Sequence, residues 1–104
     1  MWGTLAKMRM RPDVPHEYLM AQARALNTAR MPGWLFTTFF RSDTDPLDYW
    51  MVAMFESREA YRANAESSAQ NAVYEMMLAC LEGPPQWNDV DEVLTIPDGY
   101  YPAP

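Results

Sequence analysis

The chain has 104 residues, the size of a single domain, and its 14 acidic side chains against 8 Lys and Arg leave a net charge of −6. That balance excludes a protein held on nucleic acid through its phosphates. Apolar residues make up 49% and aromatic residues 13% of the chain, too many for disorder, yet no apolar run approaches the roughly 20 residues of a spanning helix.

Trp2 to Arg11 alternate, with Thr4, Ala6, Met8 and Met10 on one side and Leu5, Lys7, Arg9 and Arg11 on the other, the period of a strand. Pro12, Asp13 and Pro15 break it, and Asp13 is a natural N-cap for a helix running to about Arg30. Leu19, Ala23, Leu26 and Ala29, or the stem of Arg30, mark its apolar stripe, and Pro32-Gly33 stop it. The aromatic and β-branched run Trp34 to Arg41 predicts a second strand. Strict alternation places Trp34, Phe36, Thr38 and Phe40 on one face of it and Leu35, Thr37 and Phe39 on the other. After a turn at Asp43 to Pro46, Tyr49 to Glu56 predicts a third strand, with Tyr49, Met51, Ala53 and Phe55 opposite Trp50, Val52 and Met54. Ser57 caps a short helix over SREAYRANA. A longer helix then runs from Ser67 or Ser68 to Leu81, with Ala69, Val73, Met76 and Cys80 as its stripe and Gly83 at its end. Val90 to Ile96 alternate as a last strand, and residues 97–104 form a surface tail.

Strand, helix, strand, strand, helix, strand is the order of the ferredoxin-like split βαβ arrangement, a single α+β domain whose four-stranded antiparallel sheet carries its helices on one face. Both faces of the middle strands are apolar. Helices account for one face, and an uncovered second face would be an apolar patch larger than soluble monomers carry. The expected cover is a second copy of the chain, giving a twofold homodimer through the open sheet face. Four Trp, six Tyr, four Phe and nine Met also exceed what one small core needs, which points to a small apolar or aromatic ligand as well.

The element order, the length and the segment MFESREAYRANAESSAQNAVYEMM resemble the antibiotic biosynthesis monooxygenase-like group of dimeric α+β barrels. The resemblance spans about Trp2 to Ile96 and is sharpest at Phe55 to Tyr61, with support from Pro32-Gly33 and Glu82 to Trp87. It implies one of several activities, among them cofactor-independent oxygenation of quinol- or anthrone-like aromatics and haem degradation. The haem-degrading pattern of an axial His, an Asn and a Trp meets Tyr74, Lys7 or Met8, and Asn64 here, so all three roles have lost their residue. The cofactor-independent oxygenases match at Tyr61, a tyrosine of their substrate pocket; their Trp, Asn and Arg become Phe55, Met51 and Glu75. The resemblance thus implies a pocket with Tyr61, Asn64 and Tyr74 as polar tips and Met51 and Phe55 as wall. No cofactor is expected. The alternative is a non-catalytic dimeric binding or accessory protein using the same cavity.

Other chemistry is poorly represented. His16 is the lone imidazole, and in the first turn of a helix beside Glu17 it reads as an ordinary surface histidine. Asp43/Asp45 and Asp89/Asp91 read as turn residues rather than metal ligands, and the methionines as core filler. Cys80 cannot form an internal disulfide, no Cys/His spacing suits zinc, and no signal peptide stands in MWGTLAKMRMRP, so a reducing, cytoplasmic setting is expected. Its thiol, on the apolar stripe, reads as buried and inert. No phosphate loop or nucleophile elbow occurs.

Overall fold

Alternation in the first strand decides the layering. In the computed structural model, which describes residues 1–25 and 31–98, Thr4, Ala6, Met8 and Met10 are all buried, while Leu5, Lys7 and Arg9 are exposed. The elements in order are β1 (Trp2–Arg9), α1 (His16–Arg24), β2 (Trp34–Arg41), β3 (Asp48–Phe55), α2 (Arg58–Ala65), α3 (Ser68–Cys80) and β4 (Gln86–Asp91). The sheet order is β2-β3-β1-β4 with every neighbouring pair antiparallel. This is the ferredoxin-like α+β fold expected from the element order. One layer of helices meets the even-numbered face of β1, where Leu19 of α1, Met77 and Cys80 of α3, and Tyr49 and Met51 of β3 close the core. Burying a side chain such as Leu19 contributes about 1.5–3 kcal/mol.

Serines cap both helices, Ser57 as predicted and Ser67 in front of the longer one. Ser57 Oγ accepts from the amide of Ala60 at 3.1 Å and Ser67 Oγ from that of Gln70 at 3.1 Å, each satisfying an amide that the helix start leaves open. Gly33 has φ +76°, and a Cβ there would lie 2.5 Å from that of Ala60. Only glycine allows both the left-handed backbone and the close seat of α2 against this turn, which Glu56 fastens by donating its amide to the Gly33 carbonyl at 2.8 Å.

Several expectations need correction. The first strand ends at Arg9, followed by a single bridge between Met10 and Leu81. Helix α1 starts at His16 behind Pro15, not at Asp13, because Asp13 pairs with Arg11 instead, at 3.0 Å. The predicted stripe positions Leu26, Ala29 and Arg30 lie outside the described residues. Of the predicted α3 stripe, Val73 and Cys80 do pack on the core, but between them Met77 is buried and Met76 is exposed. The helix ends at Cys80, one residue short of the expected Leu81, and Leu81 rather than Gly83 is its C-cap.

The largest shift concerns the last strand, which occupies Gln86–Asp91 and not Val90–Ile96. Its partner sets the limit. Trp2 pairs with Asp91, and Glu92 donates its amide to Met1, the first residue of β1's approach. Val93, Leu94 and Ile96, beyond that point, lie outside the sheet and are exposed at 96%, 69% and 78%. The face of the sheet away from the helices carries Leu5, Phe40 and Trp50, each at least two-fifths exposed, with the Lys7 ammonium 5.0 Å from the centre of the Trp50 ring.

Candidate functional site

A backbone irregularity in β2 shapes the main cavity. Trp34 pairs with Phe55 and Phe36 with Met54, so Leu35 is an extra residue in β2 opposite a single step of β3. Such a bulge inverts alternation on one side of itself. Trp34 therefore shares a face with Thr37 rather than with Phe36, Thr38 and Phe40, contrary to strict alternation. The indole Nε1 donates to Thr37 Oγ1 at 2.9 Å, which fixes the ring against the helix-side wall.

The cavity holds about 370 Å³ between the helix side of the sheet and helices α2 and α3. Met51, Ala53 and Phe55 form its floor from β3. Trp34 and Trp87 stand at its sides, and Met77 closes it from α3. All five residues singled out from the sequence, Tyr61, Asn64, Tyr74, Met51 and Phe55, line this one space. Sequence reasoning missed Trp34, because the bulge is invisible in a regular pattern. It missed Trp87 too, because Gln86 to Asp91 has only two apolar residues, Trp87 and Val90, and they fall on opposite faces of the strand. Tyr74 packs against Trp87 with ring centres 6.0 Å apart.

Tyr61 is fixed from three sides. Its ring lies 4.9 Å from that of Trp2 and meets Phe55 edge-on at 5.5 Å. Its hydroxyl donates to Asp89 Oδ1 at 2.8 Å. Burial, and then the Asp89 carboxylate, push the Tyr61 hydroxyl up to about 12, with the Thr4 hydroxyl acting in the opposite sense. The phenol therefore stays protonated at neutral pH. Asp89 is a strand residue facing α2, not the turn residue expected from its neighbour Asp91.

Asn64 sits one turn further along α2. Its Nδ2 donates to Gln70 Oε1 at 3.3 Å, whereas its Oδ1 is buried and has no partner. Thr4, Gln70 and Asn71 add further polar atoms. The lining contains no Lys, Arg, His, Asp or Glu among the described residues, so the walls present hydrogen-bonding groups without formal charge. Among the described residues, no cluster of three His, Cys, Asp or Glu is placed to hold a metal ion.

His16 lies elsewhere and is not the plain surface residue expected. It is half-buried, its Nδ1 shares a short hydrogen bond with the hydroxyl of buried Tyr49, and the two rings stack. Glu75, at the position of the oxygenases' Arg, is exposed on α3. Cys80 is buried at the foot of α3, and burial pushes its thiol up. Among the described residues, no helix is long and apolar enough to cross a membrane.

Comparison with known proteins places this architecture. The model of the antibiotic biosynthesis monooxygenase family matches residues 1–76, and no curated protein matches the sequence. Among solved structures, SnoaB, a cofactor-independent oxygenase from Streptomyces nogalater, is similar with a TM-score of 0.74 at 19% identity, over 93% of this chain and 98% of that one. A conserved protein from Methanosarcina mazei Go1 gives 0.76 at 14% identity, over 88% and 92% of the two chains. A crystal structure described as an antibiotic biosynthesis monooxygenase gives 0.73 at 17%, over 90% and 100%. Likeness at these identities concerns the fold, while the family model spans most of the sequence: the chain belongs to the antibiotic biosynthesis monooxygenase family.

Proposed function

We propose that the protein is a cofactor-independent monooxygenase acting on a small, uncharged aromatic substrate of quinone-like or polyketide-derived type. The observation that carries this reading is the cavity itself: apolar walls from Trp34, Phe55, Met51 and Trp87, polar tips from Tyr61, Asn64 and Tyr74, and no charged side chain among the described residues. Such walls bind flat apolar molecules and keep water from a reactive carbanion. In the reaction, an activated C–H of the substrate loses its proton, and the carbanion passes one electron to dioxygen. The two radicals join as a peroxide anion, which takes a proton back to become the hydroperoxide and then loses water to leave a carbonyl. One oxygen atom thus enters the product and the other leaves as water, with the substrate supplying every electron. Tyr61 and Asp89 form the route by which a proton reaches solvent, since the phenol lies in the cavity wall and donates to an exposed carboxylate.

The working form in this proposal is a cytoplasmic homodimer joined through the open sheet face. The exposed Leu5, Phe40 and Trp50 on that face support it. The test of activity is oxygen uptake by purified protein with a panel of anthrones and hydroquinones, with one dioxygen consumed per carbonyl formed. No uptake across the panel refutes the oxygenase. A non-catalytic binding protein using the same cavity is then the reading that stands, and Met51, Phe55 and Glu75 at the positions of the oxygenases' Asn, Trp and Arg are what favour it.

A further inference from the structure

We infer that the Thr37 hydroxyl is the hydrogen-bond donor that receives a carbonyl or phenolic oxygen of the bound aromatic, and that Trp34 positions it for that task. The inference rests on reading the cavity as the reaction site and adds a residue that touches the substrate. Its basis is the direction of one hydrogen bond. The Trp34 indole Nε1 can only donate, so its 2.9 Å bond to Thr37 Oγ1 makes the hydroxyl the acceptor. The Thr37 proton is then turned away from the indole, and among the described residues no acceptor takes it. It is left for whatever occupies the cavity.

Thr37 is placed to use that proton. In β2 it pairs with Ala53 of the cavity floor, and the bulge sets it on the same helix-side face as Trp34. A short β-branched side chain on a strand has few rotamers, and the indole bond holds Oγ1 beside the wall that Trp34 forms. Other hydroxyls of the lining are already committed: Tyr61 gives its proton to Asp89, and Thr4 gives its own to the Asn88 carbonyl at 3.2 Å. Tyr74 lines the cavity from α3 with its ring against Trp87, and among the described residues no hydrogen bond anchors its hydroxyl. Donation by the indole also polarises the Thr37 O–H, because hydrogen bonds in series strengthen one another. When the substrate C–H loses its proton, negative charge moves onto the conjugated oxygen, and no Lys, Arg or His among the described residues lines the cavity to meet it. A polarised neutral donor held at that oxygen stabilises the carbanion more than the uncharged substrate.

The test uses the full chain with 1-tetralone and tetralin, probes that share a ring framework and of which only the first carries a carbonyl. The infrared carbonyl stretch of bound 1-tetralone should lie below its value in hexane. By titration calorimetry, Thr37→Val should weaken 1-tetralone by about three- to tenfold and leave tetralin unchanged. Thr37→Ser, which keeps the hydroxyl, should keep both the lowered stretch and the affinity. A bound stretch equal to that in hexane overturns the inference, and that measurement needs no variant. A lowered stretch that survives in a folded Thr37→Val protein overturns the assignment to Thr37. Binding of neither probe removes the inference and the aromatic cavity together. A stretch that depends on Thr37, without oxygen uptake on the wider panel, leaves the donor assignment in place and removes the oxygenase alone.

Discussion

Replacing Asn64 by leucine should make the empty protein more stable. Two terms favour the change and one opposes it. Removing a buried acceptor with no partner recovers a desolvation penalty of about 1–3 kcal/mol. Leucine is also a better helix former than asparagine, by a few tenths of a kcal/mol within α2. Against these stands the loss of the hydrogen bond to Gln70, which at 3.3 Å is long and contributes about 0.5–1 kcal/mol. Gln70 is only half-buried, so water can replace the lost partner. The balance is a gain of about 0.5–2 kcal/mol, and a change of 1 kcal/mol in a domain of this size moves Tm by roughly 4 °C or more. Scanning calorimetry and urea unfolding of both proteins without ligand measure it. A fall in stability of about 1 kcal/mol or more would refute the reasoning, because it would mean that Oδ1 has a partner in solution. A gain would mark Asn64 as a residue kept at a cost to the fold.

Three further outcomes follow from the geometry. Tyr61 should titrate close to pH 12 in absorbance at 295 nm, and Tyr61→Phe should remove that step. Its folded value lies above the unfolded one, so its contribution to stability is complete below pH 10 and is lost as pH rises toward 12; a variant with the unaltered alkaline unfolding profile would contradict this. Gly3→Ala should cost about 1–3 kcal/mol in urea unfolding, since its Cβ would fall 1.9 Å from the Ala53 carbonyl oxygen on the paired strand; a loss under about 0.5 kcal/mol would show that β1 and β3 separate easily there. Trp50→Glu places a charge on the open face beside Phe40 and Leu5, and sedimentation should then show monomer where the unaltered chain shows dimer. A variant that stays dimeric at micromolar concentration would locate the interface elsewhere.

The fold was legible because its signals are local. Alternation in β1, serines at the two helix starts and glycine before β2 each act within a few residues, and their neighbours in space do not override them. What escaped depends on partners distant in the chain. The register of β4 is set by its pairing with β1, some ninety residues earlier in the chain, so Val93, Leu94 and Ile96 look like strand residues and yet lie outside the sheet. Met76 and Met77 are equally apolar, and only the angle at which α3 meets the sheet decides which is buried. Around the cavity, Tyr61, Asn64 and Tyr74 were nameable because they follow a segment that resembles a family. Trp34 required the bulge, and the vacancy at Asn64 Oδ1 required knowing where every nearby donor goes. His16 was taken for a surface residue because Tyr49, its partner, lies thirty-three positions away in the sequence.

The extra residue at Leu35 also bears on how a cavity of this kind can change. Because one added position rotates Trp34 from the outer face to the inner one, a single-residue insertion or deletion between Gly33 and Thr37 trades a large aromatic wall for an aromatic patch on the opposite surface. Cavity volume and the extent of the aromatic patch on the open face are then tied to the same length of chain, so that in this protein the count of residues between Gly33 and Thr37 shapes the cavity as much as their identities do.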